Sequence, residues 1–145
     1  MVFIDKQKLK KICEDFGGKF VNENLCMVDG YPMALEDATY LFNYNEYSQI
    51  RKAVTPEKFL SLAPDISFNE GIISDLEEKI ERKQPLDPLF VDIDIHGNIL
   101  DHEGRHRAEA SRRIGVNKVP VIFYCRGSDG SFVNADRCKK VVERL

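Results

Sequence analysis

The residues best suited to chemistry lie in one run, Asp101-His102-Glu103-Gly104-Arg105-His106-Arg107-Ala108-Glu109-Ala110. Two arginines and a histidine directly follow a glycine and open a stretch with helical spacing. A helix start presents N–H groups without intrahelical acceptors, together with the positive end of the peptide dipoles. Glycine at that point lets an anion approach the backbone, and guanidinium and imidazole groups add charge-assisted hydrogen bonds. This combination predicts an anion site, with phosphate as the anion. The competing reading is a solvated helix start whose arginines pair with Asp101 and Glu109.

The flanking sequence supplies the elements that must hold this run. Leu89-Phe90-Val91-Asp92-Ile93-Asp94-Ile95 alternates strictly and predicts a strand with one apolar face. His96-Gly97-Asn98 reads as a turn and Ile99-Leu100 as the start of a returning strand. A helix is expected from about Arg105 to Ile114, stopped by Gly115 at its C′ position. Val116 to Tyr124 follows as a further strand. Pro120 places that strand at an edge, or turns its missing N–H away from a neighbour.

The order strand, turn, strand, phosphate-type turn, helix, strand resembles the ParB/sulfiredoxin-like superfamily. The matching residues are Pro88, Gly97, Gly104, Arg107, Ala110, Gly115 and Val119-Pro120-Val121, and the likeness covers roughly residues 54–124. His106 before Arg107 is closer to the sulfiredoxin and free-serine-kinase branches than to chromosome-partitioning proteins. The resemblance implies an α+β fold: a small mixed sheet with flanking helices and a phosphate-binding turn at a helix N-terminus.

It also implies a nucleotide (ATP, ADP or CTP) held by Gly104, His106 and Arg107, with magnesium. Ser74, at the start of the preceding helix, would reach that nucleotide. Glu103 would act as base or, with Asp101, as magnesium ligand, since carboxylates beside phosphates commonly hold that ion. Arg105 would assist developing charge, and His102 is the alternative proton shuttle. Arg105 stands where sulfiredoxins carry their cysteine, which excludes sulfinic acid reduction. The expected function is thus a nucleoside di- or triphosphate-binding domain, in its enzymatic version an NTP hydrolase or small-molecule kinase.

Two other readings compete. In a ParB-like metal-dependent nuclease, Asp92, Asp94, Asp101 and Glu103 would collect the metal. However, Asp92 and Asp94 share the strand face opposite Val91 and Ile93, which is also how a solvated face looks. In a phage- or plasmid-type interaction module the domain would bind without catalysis, since fold does not fix function.

The 145 residues, 43% hydrophobic and 31% charged, suit an ordinary globular domain. No apolar run approaches a membrane span, and the first residues lack the apolar region of a signal peptide, so a cytoplasmic protein is expected. The net charge of −3 argues against holding nucleic acid mainly by charge. Within residues 104–118, however, Arg105, Arg107, Arg112, Arg113 and Lys118 stand against Glu109 alone. Cys13, Cys26, Cys125 and Cys138 show no zinc spacing and are expected as buried free thiols.

Residues 1–48 are expected to form an N-terminal helix and strands packed on the core, with room for a protein partner. Residues 49–145 would be the ParB/sulfiredoxin-like domain with a C-terminal helix. In detail, a helix is expected over 4–16 (Ile4, Leu9, Ile12 and Phe16 on one face), then a strand from Lys19 to Met27. A turn at Asp29-Gly30 follows, with an irregular stretch from Tyr31-Pro32. The aromatics Tyr40, Phe42, Tyr44 and Tyr47 suggest a strand or half-buried loop with a packing role. Thr55-Pro56 opens a helix to about Ala63. After a loop at Phe68 to Gly71, the capping-box pattern Ser74-Asp75-Leu76-Glu77 opens another to about Lys83. Asn134 caps a last helix through about Arg144.

Overall fold

A computed structural model describes residues 5–64 and 67–145, so Ile4 of the expected first helix lies outside the described residues. The architecture is α+β with two sheets. Helix α1 (Lys6–Asp15) leads into β1 (Lys19–Asn22), β2 (Leu25–Val28) and β3 (Tyr31–Met33), an antiparallel three-stranded sheet. Helix α2 (Thr39–Asn43), β4 (Gln49–Val54), α3 (Pro56–Leu62) and α4 (Glu70–Glu81) follow. Then come β5 (Leu89–Asp94), β6 (Ile99–Glu103), α5 (Arg105–Arg113), β7 (Val119–Arg126) and α6 (Lys139–Glu143). The second sheet has the order β4-β7-β5-β6, with β5 and β7 parallel and the other pairs antiparallel. Among the described residues no helix is long and apolar enough to cross a membrane.

The stretch that carries the candidate site follows the sequence closely. The β5–β6 hairpin turns at Gly97, whose φ of 89° suits glycine. Helix α5 begins after Gly104 and stops before Gly115 (φ 84°), as its glycines predict. Thr55 caps α3 by accepting the Lys58 N–H (3.1 Å), and Asn134 opens the last helical segment as a 3-10 turn that continues into α6.

Elsewhere the structure corrects the reading. Lys19 to Met27 is a hairpin and not one strand, because Asn22 Oδ1 accepts the Asn24 N–H (2.8 Å) and turns the chain. The stretch after Asp29-Gly30 is strand β3, paired with β2. The aromatic segment is helix α2 followed by a 3-10 turn. Only Phe42 of its aromatics is buried, and Tyr40, Tyr44 and Tyr47 are more than half exposed. Residues 49–54 form a strand that alternation did not disclose, held along its length by β7.

Helix α4 starts at Glu70 and not at Ser74. Asn69 caps it by accepting the Ile72 N–H (3.1 Å), so Ser74 is an exposed residue inside the helix. Strand β7 is an inner strand. Pro120 is tolerated because parallel pairing with β5 begins only at Val121.

Among the described residues there are two hydrophobic clusters, a large one and a small one of Ile73, Ile80 and Ala110. The larger is the main core. It joins Leu9, Ile12, Tyr31 and Phe42 to Phe59, Leu89, Val91, Phe123 and Val142. The cysteines are not free thiols. Cys13 of α1 bonds Cys26 of β2, and Cys125 of β7 bonds Cys138. The fold brings each pair to Cα separations of 5.7 and 5.6 Å, within disulfide reach.

Candidate functional site

His102, Glu103, Gly104, Arg105, His106 and Arg107 line one open cleft of about 470 Å³ with Ile72 and Leu76 of α4. The first intrahelical bond of α5 runs from the Ala108 N–H to the Gly104 carbonyl (2.9 Å), and no side chain caps the helix. The N–H groups of His106 and Arg107 therefore have no acceptor among the described residues.

Gly104 adopts φ 116°, a left-handed conformation. A Cβ there would sit 3.0 Å from Leu89 Cβ and 3.1 Å from its Cδ2, and closer still to its Cγ. The glycine is thus required by backbone conformation and by the buried Leu89. Anion approach, the role its place in the sequence suggests, is not needed to account for this glycine.

Most side chains of the cleft already hold protein partners. Arg107 makes a fork to Glu103 (3.2 Å to Oε1 and 2.6 Å to Oε2) and donates to the Pro88 carbonyl (3.1 Å). Its Nε is buried and has no acceptor among the described residues. Beside it, the buried Tyr31 hydroxyl donates to the Asp87 carbonyl (2.6 Å), and Tyr40 donates to Asp87 Oδ2 (2.9 Å). Burial, above all, pushes the Tyr31 phenol well above its ordinary value.

His106 Nε2 accepts the Asn69 N–H (3.1 Å), so that nitrogen is spent in joining α5 to the start of α4. Arg105 Nη1 donates to the Ser67 carbonyl (2.7 Å), and its guanidinium lies 4.7 Å from the Phe68 ring centre.

Other expected residues are dispersed. Ser74 does not line the cleft; Ile72 and Leu76 do. Asp101 and Glu103 alternate with His102 along β6, and Asp101 opens into a separate cleft. Asp92 and Asp94 are buried, not solvated. Asp92 pairs with Arg126 (2.8 Å), and Asp94 accepts the His96 and Asn98 N–H groups (2.8 and 3.0 Å).

Among the described residues no group of three His, Cys, Asp or Glu side chains could hold a metal. Glu103 is engaged by the Arg107 fork, so magnesium there would compete with a guanidinium. Ile72, Leu76, Asp87 and Tyr31 were missed by the sequence reading. The amphipathic spacing of α4 was the only signal for the first two.

The basic stretch 104–118 is largely neutralised. Arg112 forks onto Glu109, and Arg113 donates one bond to Glu109 through Nε and forks onto Glu70. The Arg112 hydrogen bonds, with those of Arg113, hold the buried Glu109 carboxyl down at about 2 against the opposing effect of burial. A depressed carboxylate stabilises the fold above its unfolded value, near 4.5, and that contribution disappears as pH falls toward 2. Glu109→Gln is therefore expected to lower Tm at neutral pH and to flatten the acid limb of a Tm-against-pH curve. An unchanged acid limb would dissociate Glu109 from acid stability.

Compared with protein families, curated proteins and solved structures, the chain matches none.

Proposed function

We propose that the chain is a nucleoside di- or triphosphate-binding domain of the ParB/sulfiredoxin-like type, with the phosphates at the entrance of α5. The carrying observation is the uncapped helix start, whose N–H groups open into a cleft bordered by Arg105, His106 and Arg107. The strand–hairpin–helix–strand order over 89–126 supports the same reading.

In this reading backbone N–H groups and the helix dipole supply the attraction. The Glu103 fork fixes Arg107, and Glu103 is a positioning partner and not a ready base. Ile72 and Leu76 give the base or ribose an apolar wall. The nuclease reading gains no such support, because Asp92, Asp94 and Glu103 are each engaged by other groups.

Ile72 offers a test that spares the fold, since it is exposed, lines the cleft and lies in the first turn of α4. Isothermal titration with ATP, ADP, CTP and pyrophosphate is expected to give saturable binding. Ile72→Glu should weaken it roughly tenfold, and Ile72→Lys should preserve or strengthen it, because each unit charge several ångströms from a polyphosphate contributes about 1 kcal/mol. Equal affinities for the two variants, or no saturable binding, would refute the assignment.

A further inference from the structure

A second cleft, of about 250 Å³, shares no lining residue with the first. Strand register sets Tyr124, Asp92 and Asp101 side by side on one face of the sheet. Around them Tyr44, Tyr124 and Phe132 form a corner of rings, with centroids 5.6 to 5.9 Å apart and planes at 74 to 89°. Rings at near right angles enclose a compact group, whereas a flat base is better held between parallel faces.

The charges of the cleft do not balance. Arg126 donates to Asp92 (2.8 Å) and to the Gly130 carbonyl (2.8 Å), and its guanidinium lies 3.7 Å from the Phe132 ring centre. Asp101 is exposed and has no cation within pairing distance among the described residues. Its Oδ1 accepts only the adjacent His102 N–H (2.8 Å). Two carboxylates thus face one guanidinium. Arg126 shows what this environment already holds: an organic cation between a ring face and a carboxylate.

We propose that this cleft, walled by Tyr44, Tyr124 and Phe132 and carrying Asp92 and Asp101, binds a small alkylammonium cation. The rings attract the cation through their quadrupoles, and Asp101 supplies the unmatched charge. The volume lies below that of pockets for drug-sized ligands (~300–1,000 Å³), so the ligand group is small. Burial, chiefly, pushes the Asp92 carboxyl up despite Arg126, and the Asp101 charge adds to this. An additional cation would relieve that repulsion. Tyr44 is more than half exposed and leaves the corner open to solvent.

The test titrates the protein with choline chloride and with its uncharged isostere 3,3-dimethylbutan-1-ol, by calorimetry and NMR shift mapping at low ionic strength. Choline should bind saturably and shift resonances of Tyr44, Tyr124 and Phe132. The isostere should bind at least roughly fivefold more weakly. Tyr44→Ala, at an exposed position, should weaken choline by roughly twofold to fivefold, the range of an exposed cation–π contact, and Asp101→Asn, which removes one unit charge at an exposed position, by roughly fivefold or more. Equal binding of choline and isostere, unchanged affinity in Asp101→Asn, tighter binding of an uncharged nucleoside, or no saturable choline binding would each overturn the proposal.

Discussion

Replacing either disulfide by a pair of alanines is expected to lower stability by about 3 kcal/mol, the chain-entropy contribution of closing a loop of roughly 15 residues. Both bridges span 13 positions, so the two effects should be similar. They should also add, because one ties α1 to β2 while the other ties β7 to the 3-10 turn before α6. At roughly 2–4 °C per kcal/mol for a chain of this size, each replacement should lower Tm by roughly 6–12 °C.

The sulfurs lie at fully buried positions, so a reductant added to the folded protein should act slowly, and the same reductant during refolding should act fully. A chain refolded in reductant with unchanged Tm would show that the bridges contribute nothing. Disulfides persist in oxidising compartments. The cytoplasmic placement drawn from the sequence therefore gains no support from them.

Sequence legibility follows the range of the interactions. The stretch 89–126 was readable because each step is local. Period-2 alternation marks β5, Gly97 its turn, and Gly104 and Gly115 bracket a nine-residue helix. The cleft residues 102–107 are contiguous, so their gathering followed from that local structure. Their partners were not readable. Ser67, Asn69 and Pro88 receive or donate bonds across 19 to 38 positions, and no spacing announces such contacts.

One misreading came from periodicity and one from capping chemistry. Tyr40, Tyr44 and Tyr47 stand at i, i+4 and i+7, a helical interval, and the intervening Phe42 made the run look alternating. Ser74 and Asn69 are both competent caps. The start at Asn69 is the one that lets Ile73 join Ile80 in the interior. Asp92 and Asp94 show the limit of alternation. It separates two strand faces, but whether the second meets water depends on Arg126, 34 positions away.

The fork between Glu103 and Arg107 changes what the site can do. A carboxylate at the edge of an anion cleft would repel phosphate if it were unmatched. Pairing cancels that charge and fixes the guanidinium against the Pro88 carbonyl, while the helix N–H groups remain open. In the proposed reading, phosphate affinity at this entrance should thus depend more on backbone geometry than on any one arginine. Whatever sets the course of the chain at Gly104 then controls the site.

Gly104→Ala is accordingly expected to cost about 4 kcal/mol and to lower Tm by roughly 10 °C or more. Two terms combine. A non-glycine residue held at φ 116° carries strain of about 1–3 kcal/mol. A methyl group driven against the fully buried Leu89 adds about 1–3 kcal/mol of overpacking. A double-mutant cycle separates them. Leu89→Ala alone should cost about 2–5 kcal/mol by leaving a cavity. In Gly104→Ala/Leu89→Ala the new methyl group enters that space, so the pair should cost less than the sum by about the overpacking share, while the backbone strain remains. Strict additivity would assign the whole effect to φ. An unchanged Tm in Gly104→Ala, with phosphate binding lost, would return the glycine to the role the sequence first suggested, a close approach for an anion.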